Sequence, residues 1–307
     1  MRKTFITTLL ALAESDPDIW LINADLGFSF LEPFAERFPQ RYLNVGVAEQ
    51  NMIGVAAGLA LSGAKVFVYS IANFPTLRCL EQIRVDVCYH RAHVVVVAVG
   101  AGFAYGSQGY THHAIEDLAV MRALPGIRVG SPGDRHEAKA LVEHFAREPG
   151  PAYLRLGRDG EPAFHAGPLA EGLLKPQVVR EGRDVAILVT GAILEEAAAA
   201  ADLLADLELS PRVISVPVLK PLDEASLMAV IEGCSLVVTV EEHSLIGGLR
   251  DTVAPLLAEA RRPSRLLACG VGDRITFGVT YGQKAMRRHC GIDASAIADK
   301  IRSAWPL

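Results

Sequence analysis

Short runs of apolar, β-branched residues alternate along the chain with longer stretches of helical periodicity. The pattern predicts strands at Lys65 to Tyr69, Val94 to Val99, Val185 to Thr190, Arg212 to Val216, Leu236 to Val240 and Arg265 to Cys269. Helices are predicted roughly over residues 48–61, 78–90, 134–147, 193–207, 246–260 and 293–303. Strand and helix in alternation is the signature of parallel α/β sheets. The rhythm fails between Gly157 and Gly182, where Gly160, Pro162, Gly167, Pro168, Gly172 and Pro176 also fall. This segment reads as an interdomain linker, 161–182, between two doubly wound α/β domains at 1–160 and 183–307.

Bulk properties narrow the class. The chain has 307 residues, 50% of them hydrophobic, enough to bury two cores. Thirty Lys plus Arg against 35 Asp plus Glu give a formal charge of −5, too mild to argue for nucleic acid or an anionic membrane. A small neutral or anionic substrate fits better. The start, with Arg2 and Lys3 before Thr7 to Ala13, is broken by Thr7, Thr8 and Glu14 and reads as an amphipathic helix. No apolar run is long enough to span a bilayer. Cys79, Cys88, Cys234, Cys269 and Cys290 are scattered and never form C-x-x-C, which points to reduced thiols in the cytoplasm, with no disulfide frame or zinc site.

Two familiar signals fail on inspection. Gly100, Gly102 and Gly106 follow the strand VVVVAV, but the third glycine is one position late for a dinucleotide fingerprint and no helix pattern opens there. No P-loop occurs. The informative stretch is Asn44-Val-Gly-Val-Ala-Glu49-Gln-Asn-Met-Ile-Gly, continuing to Leu61. Glu49 stands near the start of a helix in which residues 52–61 show no polar face, so it is expected to be buried or half-buried. A first-turn carboxylate favoured by the helix dipole is the plainer alternative. A buried carboxyl group is costly unless hydrogen-bonded, and one that can exchange a proton suits relay chemistry.

The blocks VGVAEQNMIGVAAGLALSG, KVFVYS, GSQGYTHHAIEDLAVMRALPGIRVGSPGD, PAYLRLGR and VVTVEEHSLIGGL resemble, in order, the C-terminal two-thirds of transketolase and 1-deoxyxylulose-5-phosphate synthase. The resemblance implies thiamine diphosphate as cofactor, with a pyrimidine-binding domain followed by a transketolase C-terminal domain. It assigns Glu49 the hydrogen bond to N1′ of the aminopyrimidine, which lets the ring's exocyclic nitrogen remove the C2 proton. It places Tyr69 and Phe74 at the cofactor, Phe74 stacking on the pyrimidine, with Ile71 or Ala72 where relatives carry another aromatic residue. A core phenylalanine at a strand end is the alternative for Phe74.

In Thr111-His112-His113, the family's first histidine, here His112, works near the substrate carbonyl as donor and proton shuttle. His113 neighbours it at the substrate. Helix capping, or metal binding with Glu116 and Asp117, would be other uses of the pair. Tyr110 replaces a usual proline. Gln108 takes the place of an acidic substrate contact, Gly100 and Ala101 replace a phosphate-side His or Arg, and Arg158 keeps a phosphate-contacting position beside Arg155. A standard pentose phosphate is therefore not the expected substrate.

The family's Gly-Asp-Gly and following Asn, which hold Mg²⁺ and the diphosphate, do not occur in the sequence. The resemblance therefore implies a partner, an N-terminal transketolase-like subunit that binds Mg²⁺ and the diphosphate, with two copies of each chain. The implied reaction is transfer of a two-carbon ketol or acyl unit to an aldehyde. A beta subunit of a 2-oxo acid dehydrogenase and a non-catalytic regulatory paralogue are the alternatives. The former lacks the THH and EEH blocks as they stand here, and the latter has no need of a buried acid.

Overall fold

The protein, a computed structural model, is described over residues 1–169, 174–205, 209–259, 264–273 and 281–305. Strands β1 (Ile19–Asn23), β2 (Tyr42–Asn44), β3 (Lys65–Ile71), β4 (Val94–Val99), β5 (Arg128–Gly130) and β6 (Ala152–Leu156) run parallel in the order β5-β6-β4-β3-β1-β2. Helices α1 (Arg2–Ser15), α2 (Glu32–Arg37), α3 (Glu49–Leu61), α4 (Leu80–Gln82), α5 (Asp117–Ala123) and α6 (Arg135–Arg147) surround them, with a π-helical turn at Ile83–Tyr89 continuing α4. The period-2 alternation of β3 decides which face each helix takes. Phe67 and Tyr69 pack with Phe5 and Leu9 of α1 and Leu141 and Phe145 of α6. Val66 and Val68 pack with Met52 and Ile53 of α3 and with Ile83 and Val87.

Strands β7 (Gln177–Arg180), β8 (Val185–Thr190), β9 (Pro211–Ser215), β10 (Val218–Lys220), β11 (Leu236–Ser244) and β12 (Arg265–Val271) follow, with helices α7 (Leu194–Ala205), α8 (Glu224–Val230), α9 (Leu249–Glu259), α10 (Gln283–His289) and α11 (Ala294–Ala304). Five strands form a second sheet, β12-β11-β8-β9-β7, parallel except for β7, which runs antiparallel to β9. Strand β10 crosses back and pairs antiparallel with β5. It is thus the seventh strand of the first sheet, so backbone hydrogen bonds as well as side chains tie the two halves of the chain together.

The strands expected at Val94–Val99 and Val185–Thr190 have those bounds, and the others shift by a residue or extend. The glycine- and proline-rich segment is not irregular throughout: Gln177–Arg180, inside 161–182, is β7 of the second sheet. Gly172 and the predicted helix ends at 207 and 260 lie outside the described residues.

A buried polar lattice fixes one domain against the other. Arg155 of β6, fully buried, donates to Asp117 at 2.8 Å, to the Ala114 carbonyl at 2.7 Å and to the Glu242 carbonyl at 3.1 Å. Tyr153 adds a 2.5 Å bond to Asp117. The Glu242 carboxylate accepts from the Phe103 amide at 2.8 Å and from Arg287 of α10 at 2.8 and 3.0 Å. Its neighbour Glu241 accepts from the Leu249 and Arg250 amides at the start of α9, at 2.7 and 3.0 Å. The Glu-Glu-His block is thus a domain clasp with a physical role of its own.

Burial pushes Glu241 from its ordinary 4.5 up to about 7, against the two amide bonds that favour its anion. The folded chain holds this proton more tightly than the unfolded chain. The associated stabilisation is therefore full below pH 4.5 and is lost as pH rises towards 7. Glu241→Gln is expected to flatten that dependence. Between pH 4 and 8 the wild type should lose of order 3 kcal/mol relative to the variant, measured by urea unfolding at both pH values.

Candidate functional site

Parallel α/β sheets place ligands at the carboxyl ends of their strands, where loops and helix starts converge. Glu49 follows β2, Phe74 follows β3 and His112 follows β4. Each side chain is fixed by its own local chemistry.

Glu49 opens α3, where its charge suits the unpaired amides of the first turn. Its side chain is 3% exposed and accepts from Arg78 Nη1 at 2.7 Å. The rest of α3 is small or apolar, but the helix is not enclosed on every side as its composition suggested. Met52, Ile53, Ala56 and Ala57 are buried, whereas Gly54, Gly58 and Leu61 face outwards.

Phe74 lies half-buried in the loop after β3. Cys79 Sγ donates to the Phe74 carbonyl at 3.2 Å, and Thr76 Oγ1 donates to the Ala72 carbonyl. One face of the Phe74 ring carries the Arg78 guanidinium, 4.6 Å from the centroid. His112 meets the ring edge-on at 5.3 Å. Asn73 ties this loop to the histidine turn, donating to the carbonyls of His113 at 2.7 Å and Thr111 at 3.2 Å.

The two histidines divide. His112 is half-buried, with Nδ1 3.0 Å from Thr111 Oγ1, and burial followed by the nearby His113 holds it below its ordinary value. It is mainly neutral at pH 7 and can donate or accept a proton. His113 is fully buried, its Nε2 3.0 Å from the Gly106 carbonyl and its ring edge-on to Phe103 at 5.1 Å. The turn carrying both is pinned by paired backbone bonds between Gly102 and Ala114 at 3.0 and 2.9 Å.

Of the other residues singled out from sequence, Tyr69 lies in the core, stacked on Phe5 at 5.9 Å, and burial drives its hydroxyl far above the ordinary tyrosine range. The structure does not bring it to Phe74. Gln108 is exposed on the turn Gly106–Gln108. Arg158 is exposed, donating to the Ala104 carbonyl at 3.1 Å, its guanidinium 5.7 Å from the Tyr105 ring centre. At Gly100 the φ of +91° and the Tyr105 ring, 2.4 Å from where a Cβ would stand, make glycine a requirement. Tyr105 thus fills the space that the missing side chain leaves. Sequence reasoning passed over Asn73 and Arg78. No sequence pattern marks either, because both lie in the irregular loop between β3 and α4.

Among the described residues no group of three or more His, Cys, Asp or Glu is arranged to hold a metal ion. Nor, among them, is any helix long and apolar enough to cross a membrane. One planar guanidinium, that of Arg78, bridges the Glu49 carboxylate and a face of the Phe74 ring, and a flat nitrogen heterocycle asks for the same two contacts.

A buried acid, an aromatic ring and a histidine thus stand at successive strand ends of a parallel domain that is clasped to a second α/β domain. Residues 1–160 match the family model "Transketolase, pyrimidine binding domain" and residues 174–297 match "Transketolase, C-terminal domain". The chain is 36% identical over 299 residues to a subunit of the apulose-4-phosphate transketolase of Phocaeicola vulgatus, covering 96% of this chain and 94% of that one. Identity to the subunit of the same name in Actinobacillus succinogenes is 35% over 269 residues, covering 88% and 86%. A solved structure titled "Split gene transketolase, inactive beta4 tetramer" superposes with a TM-score of 0.87 at 36% identity, covering 99% and 97%. The chain belongs to the transketolase family, a thiamine-diphosphate-dependent family, and corresponds to the subunit of split transketolases that carries the pyrimidine-binding and C-terminal domains.

The contrast between the histidines is measurable in the chain alone. His113→Ala removes a buried ring and leaves the Gly106 carbonyl unmatched, and should lower unfolding free energy by about 2–4 kcal/mol. His112→Ala should stay within about 0.5 kcal/mol of the wild type in the same denaturant titration.

Proposed function

We propose that this chain, joined to a partner that binds Mg²⁺ and the diphosphate, transfers a two-carbon ketol or acyl unit to an aldehyde acceptor. The observation that carries this reading is the buried Glu49, joined through Arg78 to the Phe74 ring, which the half-buried His112 meets edge-on. When bound, thiamine diphosphate would supply a carbon nucleophile at C2 of its thiazolium ring. Glu49 would hold N1′ of the aminopyrimidine and pass a proton at that atom, in a place where burial keeps water from competing. Phe74 would support the ring's face. His112, neutral near pH 7, would donate to the substrate oxygen and take the proton back.

The half-site character of this edge supports a partner. Val47 is 77% exposed and Leu61 59% exposed, with nothing within 4 Å of a Cβ placed at Gly54 or Gly58 between them. The apolar surface of Val47 before α3 and of Gly54, Gly58 and Leu61 on it, beside the exposed Asn51, suits a second subunit. Two copies of each chain is the expected assembly. The inactive beta4 tetramer of the related split-gene transketolase agrees with a chain that does no chemistry unpartnered. For the substrate, exposed Arg158 offers a phosphate contact, while Gln108 and the Tyr105-filled space over Gly100 point away from the standard pentose phosphates. A neutral contact at Gln108 accommodates a ketose with altered hydroxyls. All five cysteines are buried thiols, which supports a reducing, cytoplasmic setting.

Glu49→Gln keeps the volume and a hydrogen bond but cannot exchange a proton with N1′. In the reconstituted complex, hydrogen–deuterium exchange at C2 of bound thiamine diphosphate should slow on the order of 10²-fold or more. Unchanged exchange would refute the role of Glu49.

A further inference from the structure

The Glu49–Arg78–Phe74 cluster holds more than a salt bridge. Arg78 Nη1 lies 2.7 Å from Glu49 Oε2, and the same guanidinium rests 4.6 Å from the centre of the Phe74 ring. A guanidinium is flat, delocalised and rich in N–H donors, so it can bond a carboxylate edge-on while stacking on an aromatic face. An aminopyrimidine asks for the same pair of contacts, a carboxylate at a ring nitrogen and an aromatic face beneath. Both groups cannot have them at once.

We propose that Arg78 is a built-in stand-in for the aminopyrimidine, holding Glu49 and Phe74 closed until its guanidinium swings out to admit the cofactor ring. This rests on the functional reading above and adds to it a residue that sets when the site is open. Three features support the exchange. Glu49 is 3% exposed and would be an uncompensated buried charge without a cation beside it, so a chain lacking cofactor needs a partner for it. Arg78 is 47% exposed, so its side chain can turn into solvent without disturbing the core. Its backbone stays in place, because the Arg78 carbonyl accepts from Gln50 Nε2 at 3.0 Å, anchoring the loop to α3 while the side chain moves.

Apparent affinity falls by the fraction of chains that are open, so a stand-in weakens cofactor binding without touching the cofactor. Isothermal titration of the full chain with thiamine, which carries the aminopyrimidine but no diphosphate, reads that fraction. Arg78→Ala should tighten thiamine binding by about tenfold, the factor for a site open about a tenth of the time. Arg78→Lys keeps Glu49 paired but offers no plane to Phe74, and should give a smaller gain; it carries the test if the alanine form does not fold. In the wild type, the Arg78 Nε–H resonance should shift on adding thiamine as the guanidinium leaves Glu49. Equal or weaker binding by the variants, no detectable binding by them, or a resonance that stays put would overturn the proposal. Thiamine diphosphate binding to the wild-type complex with its diphosphate-binding partner separates the two ideas. If that complex binds no cofactor, the functional reading falls as well; if it binds and the variants show no gain, only the stand-in role falls.

Discussion

The structure depends most on one buried cation. Arg155 sits at the end of β6, where the first sheet meets the second domain, and satisfies Asp117, the carbonyl of Ala114 and the carbonyl of Glu242 together. An unpaired guanidinium in that position would be strongly destabilising, so the three acceptors and the elements that bear them are held in register. Ala114 closes the histidine turn, Asp117 begins α5, and Glu242 lies in β11 of the second sheet. Glu242 returns the tie through the Phe103 amide. The loop between Gly100 and Ala114 is thereby held at one end by Glu242 of the second domain, through the Phe103 amide, and at the other by Arg155, through the Ala114 carbonyl. His112 owes its place to that clamp and to Asn73, which bridges from the loop carrying Phe74.

The functional edge is softer than the frame behind it. Glu49 is buried, yet the cation paired with it is a half-exposed arginine, and Phe74 and His112 are only partly covered. Burying a carboxylate opposes folding unless it is matched, so placing Glu49 at the first turn of α3 and opposite Arg78 makes the acid tolerable in a chain by itself. The clasp, which has no evident chemistry, is buried and hydrogen-bonded, whereas the edge where chemistry is expected is partly open. The open face of α3, with Gly54 and Gly58 outward, continues that division.

What the sequence made legible follows the same physics. Val94–Val99 and Val185–Thr190 are central strands buried on both faces, and continuous apolar runs announce such strands directly. Tyr42–Asn44, Arg128–Gly130 and Val218–Lys220 are three residues each, too short to show a period, and form because neighbouring strands offer them a ladder. Gln177–Arg180 hides among turn residues for the same reason. At the site, the burial of Glu49 was readable because the helix it opens has no polar face on which a carboxylate could stay in solvent. The fate of Tyr69 turned on strand parity: it shares its face with Phe67 and so points to α1 rather than to the strand-end loops. His112 and His113 are adjacent and alike in sequence, and only the backbone bonds of the turn decide which ring is turned inward.

Arg155 and Arg158 show why charge alone cannot be ranked from sequence. They stand three apart in one run, Tyr-Leu-Arg-Leu-Gly-Arg, and a phosphate-contacting role could be imagined for either. The strand ends at Leu156, so Arg155 is still governed by sheet alternation and is carried into the interior, where only fixed acceptors make it acceptable. Arg158 lies beyond the strand and beyond Gly157, in a stretch where the backbone no longer dictates a face, and its side chain reaches solvent beside Tyr105. The first arginine is committed to the frame and cannot follow a ligand. The second has an exposed charge, a long flexible stem and one backbone acceptor at 3.1 Å, which are the properties of a group able to reorient towards an incoming anion.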